Sequence, residues 1–267
     1  MDDIYFVQDC GLAVDKGEVR ENNEDSALSI GIGLADGDLR HAIGVYAVAD
    51  GMGGHEHGEV ASQIALHTAV REVIHSVTRA DQFNGYQSRT WLERAVKLAN
   101  QAVYRQNDTY NSSNDGMGST LVLALVVDNC AHIASVGDSR AYRISSSGIQ
   151  QVTNDHNVPQ MLLQHGVITP EQALVHPYRN ILSKAIGMEE GIQVDTFTTG
   201  LDEDSALLLC SDGLTGELDD WTIYEIVREA NTPQLACDAL VNAANEAGGH
   251  DNISAVLVQV KPIALTA

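Results

Sequence analysis

Five aspartates stand where apolar runs begin or end. Asp50 follows GVYAVA, Asp138 follows HIASVG and Asp212 follows ALLLCS, so each sets a carboxylate just beyond a buried strand. Asp25 precedes Ser26-Ala27-Leu28, and Asp251 precedes Asn252-Ile253-Ser254. Because the exit of one antiparallel strand lies beside the entrance of its neighbour, this placement predicts that all five meet at one edge. Ionised carboxylates about 4 Å apart repel by about 4 kcal/mol at an effective dielectric of about 20, so such a cluster requires cations. The donors are all oxygen, with no cysteine or paired histidine at zinc spacing, which favours Mg²⁺ or Mn²⁺ over Zn²⁺. Two such ions bridged by one carboxylate hold a water, lower its pKa and orient it in line with a phosphoryl group. Arg20 precedes Asp25 in the run RENNED, and its planar donor fork suits a phosphate dianion. A single Asp-Gly or Asp-Asn pair after a strand needs no explanation beyond a turn. What points to a site is the same relation repeated. The run DGLTG at 212–216 lacks the further acidic positions of a calcium-binding EF-hand loop.

The elements that must position these carboxylates come in blocks. Apolar runs bounded by Gly, Asp or Asn predict strands near 4–14, 26–32, 43–49, 119–127, 131–136, 140–145, 192–199, 206–210 and 253–260. An i+4 row through Ala61, Ala65, Ala69, Val73 and Val77 predicts a helix over 58–77, and a second stripe runs through Leu92, Val96, Ala99 and Val103. A third helix opens at Thr232-Pro233 and stops before Gly248-Gly249, with a shorter one over 219–229. Blocks of strands and helices, without strict βαβ alternation, favour an α+β fold of helices covering antiparallel sheets. Residues 155–190 break the pattern, with a helix near 157–165 and a helix start at Thr169-Pro170, and read as an inserted flap.

The chain has 267 residues, 44% of them hydrophobic, and no linker or repeat, so residues 1–267 are expected to form a single domain. Fifteen basic against 37 acidic residues give a net charge of −22, which repels polyanions and argues against a nucleic-acid partner. No leader pattern and no apolar run long enough to span a bilayer is present; a cytoplasmic, monomeric protein with no membrane association is expected. Cys10, Cys130, Cys210 and Cys237 are far apart without CxxC spacing and read as reduced thiols. They also lack the Cys-x5-Arg loop of a cysteine phosphatase, and Asp50-Gly51-Met52 lacks the second acid of an aspartyl-phosphate motif.

The segments RENNEDS (20–26), YAVADGMGGHEHGEVAS (46–62), MGSTL (117–121), SVGDSRAYR (135–143), LLLCSDGLT (207–215) and GGHDNIS (248–254) occur in an order that resembles the type 2C, metal-dependent protein phosphatase family, in its compact bacterial branch. The resemblance covers almost the whole chain. It implies a four-layer α/β/β/α sandwich with two central antiparallel sheets and the metal site at one end. It implies a phosphatase acting on phosphoserine and phosphothreonine in proteins, antagonising a serine/threonine kinase, with two Mn²⁺ or Mg²⁺ ions and room for a third. By the same resemblance Asp50 bridges the two metals, the Gly51 carbonyl binds one, and Asp212 and Asp251 complete the other. Glu24 and Asp25 act through metal-bound waters, Arg20 holds the substrate phosphate, and Asp138 with Asp212 supports the third ion. Met52 stands where the animal branch has a histidine after its Asp-Gly pair, which leaves His55 as the nearest candidate proton donor; Gly216 stands where some relatives carry a further aspartate. Two other readings stay open on the sequence: a phosphatase-like module that binds without turnover, and a hydrolase of small phosphate esters.

Overall fold

The computed structural model describes residues 4–36, 39–53, 57–80, 83–109 and 116–264. In chain order the strands are β1 (Ile4–Asp15), β2 (Asp25–Asp36), β3 (Leu39–Met52), β4 (Gly118–Ser119), β5 (Leu121–Val127), β6 (Cys130–Val136), β7 (Arg140–Ser145), β8 (Gly148–Gln151), β9 (Asp195–Gly200), β10 (Ala206–Cys210) and β11 (Ile253–Ala264). The helices are α1 (His57–Val77), α2 (Gly85–Thr109), α3 (Val158–Gln164), α4 (Pro170–Leu174), α5 (Asp212–Thr215), α6 (Asp220–Glu229) and α7 (Pro233–Ala247). One sheet has the order β1-β11-β10-β7-β8, the other β2-β3-β5-β6-β9 with β4 beside β3, and the paired strands are antiparallel.

Strand alternation builds three apolar layers. In β3, Val45, Ala47 and Ala49 pack under α1 and α2, while Tyr46 and Val48 turn inward to the other sheet. In β10, Leu207 and Leu209 face that same interior, and Leu208 and Cys210 face α5, α6 and α7. With both faces covered, the central strands read as unbroken apolar runs, and all of β5 is buried. The result is the expected helix, sheet, sheet, helix sandwich.

Several boundaries differ from the sequence expectation. The run expected as one strand over 119–127 is interrupted at Thr120, whose N–H donates to the Asp50 carbonyl at 2.8 Å. The polar strand β8 has no apolar face long enough to announce it, and β9 begins at Asp195 instead of 192. Asp212 opens the one-turn helix α5. The helix caps follow the sequence closely: Thr232 accepts from the N–H of Leu235 at 3.2 Å, and Gly248 takes a positive φ at the end of α7.

Candidate metal centre

The acidic residues reach one end of the sandwich from both sheets. Asp25 opens β2 directly opposite Asp50 on β3, so two carboxylates occupy facing positions in the ladder, an arrangement that is destabilising without compensation. Asp138 lies in the connection that leaves β6 of one sheet for β7 of the other. Asp212 follows β10, and Asp251 stands two residues before β11, a neighbour of β10. Asp50 and Asp212 lie near enough across the sheets for the charge of Asp212 to raise the Asp50 carboxyl. Thus the centre is assembled by two sheets, where the sequence expectation had a single edge.

Neutral polar groups fasten this end. Ser211 donates to Asp25 Oδ2 at 2.6 Å and accepts from the N–H of Ser254 at 2.9 Å, joining β10 and β11 to β2. Asn252 accepts from the Glu24 N–H at 2.8 Å and donates to the Lys16 and Asn22 carbonyls, which holds the RENNED turn over the centre. Thr120 accepts from the Asp50 N–H at 2.9 Å and contacts the Ser139 hydroxyl at 2.6 Å. Sequence reasoning gave none of these a role. Their common signal was available: Ser139, Ser211 and Asn252 each adjoin one of the five aspartates and are buried.

The surroundings of Glu24 and Gly51 are close-packed. Gly51 donates to the Glu24 carbonyl at 3.1 Å, and a Cβ there would lie 2.0 Å from the Gly58 carbonyl oxygen. The Glu24 carboxylate lies over Gly58 in the first turn of α1, where the helix presents its positive end. Arg20 donates to Asp251 Oδ2 at 2.5 Å. His55 lies outside the described residues.

The centre is short of positive charge. Burial first, opposed by the Ser211 hydrogen bond and assisted by Asp212 and Asp251, pushes Asp25 up to about 7. Burial, then Asp212 and Asp155, pushes Asp138 up to about 8. Asp50 is held well above the usual carboxylate range by burial and by the charges of Asp25, Asp212 and Asp138. Asp212 is raised by burial and Asp251, and Glu24 is raised by burial against the pull of Arg20. Asp25 Oδ1 is buried without a hydrogen bond of sound geometry, although the Ser254 hydroxyl lies close enough to favour its charged form. Among the described residues no trio of carboxylate, imidazole or thiol groups is closed into a ready cage; Arg20 holds Asp251, and Ser211 holds Asp25. The donor chemistry, the excess of buried acid and the orphaned oxygen nonetheless fit hard divalent cations.

The family model described as Protein phosphatase 2C matches residues 27–257. The chain is 36% identical over 248 residues to the serine/threonine phosphatase Stp of Listeria monocytogenes, a match spanning 92% of this chain and 93% of that one. Its fold superposes on the Mycobacterium tuberculosis serine/threonine phosphatase PstP/Ppp with a TM-score of 0.80 at 31% identity, covering 95% and 99% of the two chains. The catalytic domain of PstP in complex with two manganese ions gives a TM-score of 0.77 at 31% identity, covering 96% and 99%. The chain therefore belongs to the protein phosphatase 2C family.

Proposed function

We propose that this phosphatase hydrolyses phosphoserine and phosphothreonine in proteins by direct attack of water on phosphorus at a centre of two Mn²⁺ or Mg²⁺ ions, with no phosphoenzyme, and that it opposes a serine/threonine kinase. The observation that carries this reading is the set of carboxyls brought to one end, Asp25 and Asp138 buried and Asp50 and Asp212 half-buried, all held above their ordinary range first by desolvation and then by the charge of neighbouring carboxylates. Asp50 and the Gly51 carbonyl, with Asp212 and Asp251, would hold the two ions; Glu24 and Asp25 would act through waters, and Asp138 would support a third ion with Asp212. Such ions, when bound, would offset the carboxylate charge and lower the pKa of a coordinated water so that it attacks phosphorus. Arg20 is suited to exchange Asp251 for the substrate phosphate, because a dianion draws its fork more strongly than one carboxylate oxygen does. Ser211 and Asn252 keep Asp25 and the RENNED turn in place during that exchange.

Three of the four thiols give no support to a rival nucleophile. Burial pushes Cys210 and Cys237 up to about 12, and raises Cys130 as well, so each is held as the unreactive thiol. His55 is the proposed proton donor to the leaving serine or threonine oxygen. The deciding test is metal removal: turnover of a phosphopeptide is expected to vanish in chelator and return with Mn²⁺. Turnover that persists in thorough chelation would refute the mechanism.

A further inference from the structure

His156 is buried, 6% exposed, and its ring and backbone join three parts of the molecule. The Gly137 N–H donates to His156 Nδ1 at 3.1 Å. Since Nδ1 accepts, a neutral ring carries its proton on Nε2, which faces Asp195 Oδ2 at the start of β9 at 3.2 Å. The backbone repeats the connection: the His156 N–H donates to the Gly137 carbonyl at 2.9 Å, and the His156 carbonyl accepts from the Ser183 N–H at 2.8 Å. Beside it, the Val158 N–H donates to the Ile181 carbonyl at 2.9 Å, and Lys184 Nζ lies 3.8 Å from Asp195 Oδ1. Both feet of the segment containing α3 and α4 therefore meet at His156.

Gly137 immediately precedes Asp138, and the turn they form has no slack. Gly137 adopts φ +101°, and a Cβ there would lie 2.6 Å from Thr120 Cβ. Thr120 in turn contacts Ser139 and accepts from the Asp50 N–H. A bond that fixes the Gly137 N–H thus fixes the peptide leading into Asp138, and through Thr120 it reaches the backbone of Asp50. A histidine serving only to fill space would have no need of a ring bond to this turn.

We propose that His156 is a positioning residue for phosphate hydrolysis: its Nδ1 pins the Gly137–Asp138 turn to the feet of the flap, so that flap and acidic centre are set as one unit. The inference rests on the reading of Asp138 as a ligand of the third, weakest cation. Partners of this kind behind metal ligands are worth about 10- to 100-fold in affinity or activity when removed.

Two substitutions divide the ring into its halves. In His156→Asn the side-chain oxygen replaces Nδ1 as acceptor for Gly137 and the contact to Asp195 is lost; in His156→Gln the amide nitrogen replaces Nε2 and the Gly137 bond is lost. Both are measured in the full chain by Mn²⁺ titration followed by electron paramagnetic resonance of the free ion, by kcat and KM on a phosphopeptide, and by melting temperature. The expected result is an H156N protein within about twofold of the parent, and an H156Q protein whose weakest Mn²⁺ site is about tenfold weaker, with kcat lowered similarly and KM little changed. Equal behaviour of the two variants, whether both intact or both impaired, would overturn the inference, since packing alone would then account for the histidine. Asp138→Asn separates this outcome from failure of the underlying reading. If D138N loses the weak site while H156Q keeps it, only the role of His156 falls; if D138N binds and turns over as the parent does, the ligand role of Asp138 falls and the inference with it.

Discussion

At the scale of single residues, the acidic end is held by hydroxyls and amides, and the arginine that bonds directly to one of its aspartates, Arg20 to Asp251, is exposed. Ser211 satisfies both Asp25 Oδ2 and the Ser254 N–H within a buried space. Ser211→Ala removes both bonds at once without opening a large cavity, so it is expected to destabilise the ion-free protein by about 1–3 kcal/mol in urea unfolding. A change below about 0.5 kcal/mol would mean that the hydroxyl holds nothing. Arg20 behaves oppositely. Its pair with Asp251 is half exposed, with side chains 51% and 37% accessible, and exposed pairs contribute about 0–1 kcal/mol at most. Arg20→Ala is therefore expected to leave unfolding nearly unchanged while raising KM for a phosphopeptide about tenfold or more, through loss of the phosphate contact. A large loss of stability with unaltered KM would assign Arg20 to the fold instead of the substrate.

Among elements, the entry of α1 is where helix propensity and function pull apart. Replacing Gly58 by alanine favours the helix by about 1 kcal/mol, but the new Cβ would lie 2.7 Å from Glu24 Cδ. The Glu24 carboxylate, on a flexible side chain, can move aside. Gly58→Ala is thus expected to keep or slightly raise the melting temperature while weakening Mn²⁺ binding. Gly51→Ala has no such escape, because its Cβ meets the Gly58 backbone oxygen at 2.0 Å; strand and helix must part, and a clear loss of melting temperature is expected. Comparable melting for the two variants would refute this distinction. The same helix was legible in the sequence, since its i+4 row faces one sheet and its other side faces water. So was α7, with Thr232, Pro233 and Gly248 at its ends. Less legible were β8 and α5, which are short and gain their place from neighbours, and the break at Thr120, which is caused by a carbonyl of a strand some seventy residues earlier. Ser211 and Asn252 were visible as letters but not as fasteners, because their partners Asp25 and Glu24 lie 186 and 228 residues away.

On the scale of the whole molecule, the fold brings acids from two sheets to one end of a chain that already carries a net charge of −22. The aspartates were legible because each adjoins an apolar run; the division between sheets was not, since it follows from the strand orders β1-β11-β10-β7-β8 and β2-β3-β5-β6-β9. Concentrating acid in this way has a measurable consequence. In the unfolded chain aspartates titrate near about 3.9. In the folded, ion-free protein Asp25 is pushed up to about 7 and Asp138 up to about 8, with Asp50 and Asp212 raised as well. Between about pH 4 and about pH 8 the folded state therefore holds protons that the unfolded state has released, and stability must fall as pH rises through that window. Divalent ions reverse the demand, because they bind the ionised carboxylates of the folded state and displace those protons. Calorimetry in chelator is expected to give a melting temperature that drops from about pH 5 to about pH 8, and saturating Mn²⁺ is expected to raise it more at the upper end than at the lower. General repulsion of a polyanion acts in the same direction, so the scan belongs in about 1 M salt, where the Debye length is about 3 Å. Asp25→Asn supplies the neutral form permanently and should flatten part of the slope in chelator. A melting temperature that rises with pH in chelator, or a slope indifferent to Asp25→Asn, would mean that these carboxylates are not gathered as described.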